Sequence, residues 1–81
     1  MSETFVTFQQ NKRAVRFSLC PVGLFVTKDG VLGMMTEYYT HTNSHRNRDA
    51  YVVASGEYFW GGAITSKERD RLMVHPLREV A

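Results

Sequence analysis

Hydrophobic and polar residues alternate with a period of two along much of the chain, and this period predicts β-strands. Val6 and Phe8 share one face of a first segment. Apolar and polar positions then alternate over residues 14–19, after a break at residues 11–13 that is typical of a turn. Successive side chains of a strand point to opposite sides of a sheet, so the second segment has one polar face. The N-terminal quarter therefore predicts two strands joined by a turn.

The dipeptide Asp29-Gly30 predicts a hairpin with a two-residue turn, because such turns need positive φ and glycine adopts it readily. Pairing around this turn places Leu24 with Met35 on one face and Phe25 with Met34 on the other. Both faces are apolar. The hairpin is therefore expected either in the middle of a sandwich or small barrel, or with a helix on one face and a partner on the other.

Residues 41–49 contain no apolar side chain and are predicted to form a solvated loop. A further strand is expected over residues 50–55, followed by the aromatic triplet Tyr58, Phe59 and Trp60. The three aromatic side chains cannot all face one core, because neighbours on an extended segment point to opposite sides. The sequence leaves open whether the triplet is hidden in a two-layer core or contributes to an interface.

A short helix is expected near the C-terminus. Thr65 or Ser66 is expected to cap it, and Thr65 followed by Glu68 has the spacing of a capping box. The charged run behind the cap ends in Leu72, the main apolar anchor of the helix. Residues 73–77 ("MVHPL") are predicted to form an edge strand, because Pro76 has no N–H to donate to a ladder. That edge also favours self-association, so a homodimer is expected.

Together these elements predict a β-rich α+β fold. We expect one domain over residues 1–81, built as a small curved antiparallel sheet or open barrel of about five or six strands with one short C-terminal helix. The 43% hydrophobic and 22% charged residues are typical of a globular chain. The lone Cys20, predicted as a core residue, favours a reducing compartment, and no segment predicts a signal peptide or membrane span. A cytoplasmic location is expected.

The motifs do not favour catalysis. His41 and His45 form the only short pair of metal-ligand spacing, and no base adjoins Cys20 to activate its thiol. The glycines at 61 and 62 lack the spacing of a phosphate-binding loop. We therefore expect a binding protein rather than an enzyme, with no metal or cofactor.

The binding surface is expected where basic residues meet aromatic ones. A formal net charge of +2 is too small to indicate a dedicated nucleic-acid binder, although aromatic faces beside basic loops are also used to bind single strands. Binding of a protein partner is thus the leading hypothesis, and a small nucleic-acid-binding barrel is the alternative. The predicted partner-binding residues are Tyr38, Tyr39, His41, His45, Arg46, Arg48, Tyr58 and Trp60.

The stretches from Pro21 to Gly33 and from Ser55 to Gly62 ("SGEYFWGG"), with Val74 and Pro76 near the end, resemble the small accessory proteins of tailed phages and prophages. The resemblance spans most of the chain but includes no functional motif. It implies a cytosolic protein of an infected cell that binds and inhibits a host factor, such as a defence or nucleic-acid-processing enzyme. The expected function is therefore that of a phage-type modulator of a host protein.

Overall fold

The computed structural model describes residues 7–10, 13–42 and 45–80. The strands are β1 (Thr7–Gln10), β2 (Val15–Arg16), β3 (Gly23–Thr27), β4 (Leu32–Thr42), β5 (His45–Val52) and β6 (Met73–Val80). A 3-10 turn spans Phe17–Leu19, and the helix α1 spans Ser66–Arg71. Neither helical segment of the described ranges has the length and apolar content that crossing a bilayer requires.

The strands form one antiparallel sheet in the order β1-β6-β3-β4-β5, and the two-residue β2 also pairs with β6. β1 and β5 end the order, and the ladders of the described residues do not join them into a barrel. The predicted small, strand-rich antiparallel sheet with one short helix is confirmed. The predicted start of the first strand and most of the turn at 11–13 lie outside the described residues.

The register of the central hairpin differs from the predicted one by one residue. Leu24 lies opposite Met34, and Phe25 lies opposite Gly33. The reason is steric: a Cβ on residue 33 would lie 2.7 Å from Cε2 of the Phe25 ring. Because Gly33 has no side chain, the Phe25 ring lies directly over β4 and remains in the core.

The hairpin turn has three residues, 28–30, rather than two. The Thr27 N–H donates to the Val31 carbonyl over 2.9 Å and closes the loop. Gly30 follows with φ of +85°, the left-handed conformation that a three-residue hairpin loop needs at its last position. The glycine was identified correctly, but the loop length was wrong, and loop length sets which strand face enters the core.

The core lies on one side of the sheet. Rings of Phe17 and Phe59 stack with centroids 5.3 Å apart, and Phe25 meets both edge-on, at 5.9 and 5.1 Å. Such aromatic contacts stabilise beyond the burial of their area. The prediction that Cys20 is a core residue is confirmed. The buried apolar side chains are Phe17, Cys20, Phe25, Met35, Ala50, Phe59 and Val74.

The helix begins where the sequence predicted. Thr65 accepts the Glu68 N–H at its side-chain oxygen over 3.2 Å, which is one half of the expected capping box. The Glu68 carboxylate reaches one residue further back than expected, to the Ile64 N–H at 2.9 Å. Leu72, the expected anchor, packs partly buried against the core, but the fully buried residue of α1 is Arg69.

β6 is an interior strand, so the prediction of an edge strand at residues 73–77 is wrong. It pairs with β3 on one side and with β1 and β2 on the other. Among the described residues, the ladder to β1 ends at Leu77 and the ladder to β2 ends at Val74, and Pro76 lies between these two positions. A proline lacks only its own N–H, so pairing along the rest of β6 still places this strand inside the sheet.

Residues 41–49 also differ from the prediction, because they are mostly strand rather than loop. Tyr39 lies opposite Arg48, and His41 lies opposite Arg46. This two-stranded ribbon of residues 39–42 and 45–48 is called the arm below. The arm continues β4 and β5 past a register shift between Met35 and Tyr39. Most side chains of the arm lie away from the core cluster and need not be apolar. The arm therefore lacks the alternation of apolar and polar residues by which a strand is recognised in a sequence.

Candidate binding surface

The side of the sheet opposite the core carries apolar side chains that no described segment covers. Each of them alternates along its strand with a buried core residue, and the register places Leu24, Met34 and Tyr51 side by side on three strands. Met34 is 41% exposed and Tyr51 40% exposed, whereas the neighbouring Met35 is fully buried. We call this set the outer face; it consists of Leu24, Val26, Leu32, Met34, Tyr51 and Met73.

Aromatic side chains extend the outer face beyond β5. Tyr58 bridges to Tyr51, and their rings meet edge-on with centroids 5.7 Å apart. The Trp60 ring lies 5.7 Å from the Tyr58 ring and is 42% exposed. Phe59, between them in sequence, is buried in the core. Phe59 of the triplet is thus a core residue, whereas Tyr58 is half-buried and Trp60 is exposed. Tyr51, Tyr58 and Trp60 are called the aromatic row below.

The arm holds most of the remaining residues predicted to bind a partner. The Arg46 guanidinium carbon lies 3.6 Å from the centroid of the Tyr39 ring, a close cation–π contact between exposed side chains. Tyr38 and His41 are also exposed. Arg48 is different, because it donates to the backbone carbonyls of Cys20 and Thr36. Arg48 therefore ties the arm to the core.

His45 joins the arm to the helix. Its Nε2 lies 2.9 Å from an Asp70 carboxylate oxygen. Within the described ranges, no group of three His, Cys, Asp or Glu side chains is placed to hold a metal ion.

Asp49 connects the arm with the aromatic row. Its Oδ1 accepts the Thr40 hydroxyl at 2.7 Å and the Tyr58 hydroxyl at 3.1 Å. Burial raises the pKa of Tyr58, while the positive charge of Arg69 offsets part of this rise. The phenol therefore stays protonated near neutral pH and donates to the Asp49 carboxylate. Asp49 thus links Thr40 of the arm to Tyr58 of the aromatic row.

Arg69 is the residue that sequence reasoning missed. Its Nε donates to the Phe59 carbonyl at 2.7 Å, and its guanidinium carbon lies 4.3 Å from the Phe17 ring centroid and 4.6 Å from that of Tyr58. Its Nη1 and Nη2 have no hydrogen-bond partner among the described residues. One signal was available: Arg69 precedes Leu72 by three positions, so both side chains lie on the same helix face.

Burial lowers the pKa of Arg69, and the nearby Tyr58, Asp70 and Asp49 oppose that effect. An arginine nevertheless stays charged at neutral pH. A positive charge is thus held next to the aromatic row, although the formal net charge of the chain is only +2.

Comparison of the chain with protein-family models, with curated proteins and with solved structures finds no match. The function is therefore inferred from the geometry of the surface.

Proposed function

We propose that the protein is a binding module that docks on a partner protein through the outer face and the aromatic row. The strongest support is that only one face of the sheet is packed against other described segments. Met34 and Tyr51 on the outer face are about two-fifths exposed, whereas the opposite face holds the core. A contiguous apolar patch of this kind on a small domain is typical of a protein interface. Methionine, tyrosine and tryptophan are also the side chains that interfaces favour.

The arm supplies a polar border to this patch. Arg46 and Tyr39 form an exposed pair on the arm, which continues the strands of Met34 and Tyr51, and this fits an interface with an apolar centre and a charged rim. The resemblance to phage accessory proteins suggests the kind of partner, a host protein whose activity is modulated or inhibited on binding. In that form the protein acts in the cytoplasm and by contact alone, without catalysis.

Capture from a nuclease-treated bacterial lysate tests the proposal if variants accompany the wild type. Met34→Glu introduces a charge at the centre of the outer face and is expected to abolish capture of the partner. Ile64→Glu is the matched control, because Ile64 is equally apolar and 87% exposed but lies outside the outer face. Equal capture by the wild type and Met34→Glu would reject the outer face as the docking surface.

Nucleic-acid binding is the second candidate, and the Arg46–Tyr39 pair on the arm favours it. A ribbon with a cation stacked on an aromatic ring offers both a phosphate contact and a stacking face. Phosphate contacts make affinity fall steeply with salt, whereas an apolar protein interface loses mainly association rate. Recovery of nucleic acid that Arg46→Glu prevents and Met34→Glu does not would support this candidate.

Self-association stays a prediction, but its expected route changes. β6 lies inside the sheet and offers no free edge for pairing. Stacking of two outer faces is the route that the exposed apolar side chains favour, and sedimentation of the wild type beside Met34→Glu tests it. A dimer that persists in Met34→Glu would require another surface.

A further inference from the structure

We infer that the docked partner provides a carboxylate, from an aspartate or glutamate side chain, to the free Nη1 and Nη2 groups of Arg69. Tyr58 and Trp60 of the aromatic row lie against the guanidinium, so a partner docked on that row comes close to Arg69. The inference therefore rests on the proposed function, which supplies the partner that carries the carboxylate. Arg69 then serves as the charged contact of an otherwise apolar docking surface.

The bonds that Arg69 already makes determine how a ligand can approach. Its Nε–H is taken by the Phe59 carbonyl at 2.7 Å, which blocks the side-on edge of the guanidinium. Nη1 and Nη2 are buried and have no hydrogen-bond partner among the described residues, so the donors at the opposite end of the guanidinium are unused. Two nitrogens that point the same way match the two oxygens of a carboxylate, which arginine binds as a pair of parallel hydrogen bonds.

The carboxylates already near Arg69 are committed elsewhere. Asp49 accepts the hydroxyls of Thr40 and Tyr58. Asp70 pairs with His45 at 2.9 Å. Neither forms an ion pair with Arg69, although both lie close enough to raise its pKa. An acceptor for the two Nη groups must therefore come from outside the described part of the chain.

The aromatic rings only partly compensate the buried charge. Phe17, Tyr58 and Trp60 attract the cation through their faces, at 4.3, 4.6 and 5.4 Å from the guanidinium carbon. A ring face does not replace a hydrogen-bond acceptor, and burying a donor without one is costly. A carboxylate that reaches Arg69 is therefore bound more strongly than one at an exposed arginine.

Trp60 is the route of access. Phe17 is buried and Tyr58 half-buried, whereas Trp60 is the exposed ring of the three. Arg69 is fully buried, so a carboxylate can reach its Nη groups only after a neighbouring side chain moves, and we assign this movement to Trp60. Since Trp60 is the single tryptophan of the chain, its fluorescence reports directly on this event.

Acetate is the probe, titrated into the purified protein at constant ionic strength by exchange for chloride. We expect a saturable change in Trp60 fluorescence for the wild type. Arg69→Gln is expected to weaken acetate binding at least about tenfold, because hydrogen bonds to a charged group are lost. Arg71→Gln is the control: it removes the same charge from an exposed position of the same helix and leaves binding within about twofold.

Three results would overturn the inference: no saturable change in the wild type, equal weakening by Arg71→Gln, or no weakening by Arg69→Gln. Arg69→Lys keeps the charge but loses the paired donors, and it replaces Arg69→Gln if circular dichroism finds that variant unfolded. The titration uses no partner protein. A negative titration therefore rejects the carboxylate site at Arg69 but not the proposed docking surface. A negative lysate capture rejects the docking surface but does not change the acetate result.

Discussion

Met34 and Met35 are neighbours on β4, and the same substitution at each tests whether only one face of the sheet is covered. Met35 is fully buried in the core, whereas Met34 is 41% exposed on the outer face. Glutamine has nearly the volume of methionine, so Met→Gln changes polarity with little change in packing volume. We expect Met35→Gln to destabilise the protein severely and Met34→Gln to have a small effect.

The burial of the two side chains sets the magnitudes. At position 35 the substitution loses about 1.5–3 kcal/mol of apolar burial and leaves an amide without partners, which costs a further 1–3 kcal/mol or so. The free energy of unfolding of an 81-residue chain is about 4–12 kcal/mol, so Met35→Gln removes a large part of it. At position 34 the amide reaches water, and the expected cost is about 0.5–1 kcal/mol.

Urea denaturation followed by circular dichroism, with a thermal melt of each variant, measures the difference. Since 1 kcal/mol shifts the melting temperature of a domain this size by about 4–8 °C, Met35→Gln should melt at least about 10 °C below the wild type. Met34→Gln should stay within about 8 °C of it. Equal losses at the two positions would mean that the outer face is covered, and the reasoning for a docking surface would fail.

Three further predictions follow from individual contacts. Gly33→Ala should cost about 1–3 kcal/mol in urea denaturation, because its Cβ would overlap the Phe25 ring; the cost should fall in a Phe25→Leu background, and an unchanged cost would contradict the overlap. Arg46→Glu should change the free energy of unfolding by less than about 0.5 kcal/mol. Arg48→Glu should lower it by more, because the substitution breaks hydrogen bonds to two backbone carbonyls. Equal stabilities of the two variants would refute the anchoring role of Arg48. Burial raises the pKa of the Cys20 thiol, and the Arg48 charge offsets only part of this rise. The thiolate fraction of Cys20 at pH 8 should therefore be below that of a free cysteine. Alkylation of the folded protein as fast as that of the unfolded chain would contradict this.

The local signals of the sequence were sufficient where one or two neighbouring residues decide the structure. Thr65 and Glu68 predicted the start of α1, because a cap involves side chains and backbone within one turn. Gly30 predicted the hairpin turn, because positive φ is a property of that residue alone. The alternating apolar residues predicted a strand-rich antiparallel sheet, since period two reflects the geometry of each strand.

The errors share one cause, which is pairing between residues that are not neighbours in the sequence. The hairpin register depends on the Phe25 ring lying over Gly33, and the interior position of β6 depends on pairing with β1, which starts at Thr7. The arm forms strands without an apolar pattern because its two halves pair with each other.

The candidate surface divides in the same way. The sequence by itself determined that both faces of the hairpin are apolar and that the triplet cannot share one core, because side-chain direction alternates along any strand. Only the tertiary structure decided that Phe59 enters the core while Trp60 stays exposed, and that Arg69 is buried among aromatic rings. The physical reason is that burial depends on which other segments pack on a face. Here the 3-10 turn and Phe59 pack on one face of the sheet, and Met34 and Tyr51 on the other face stay exposed.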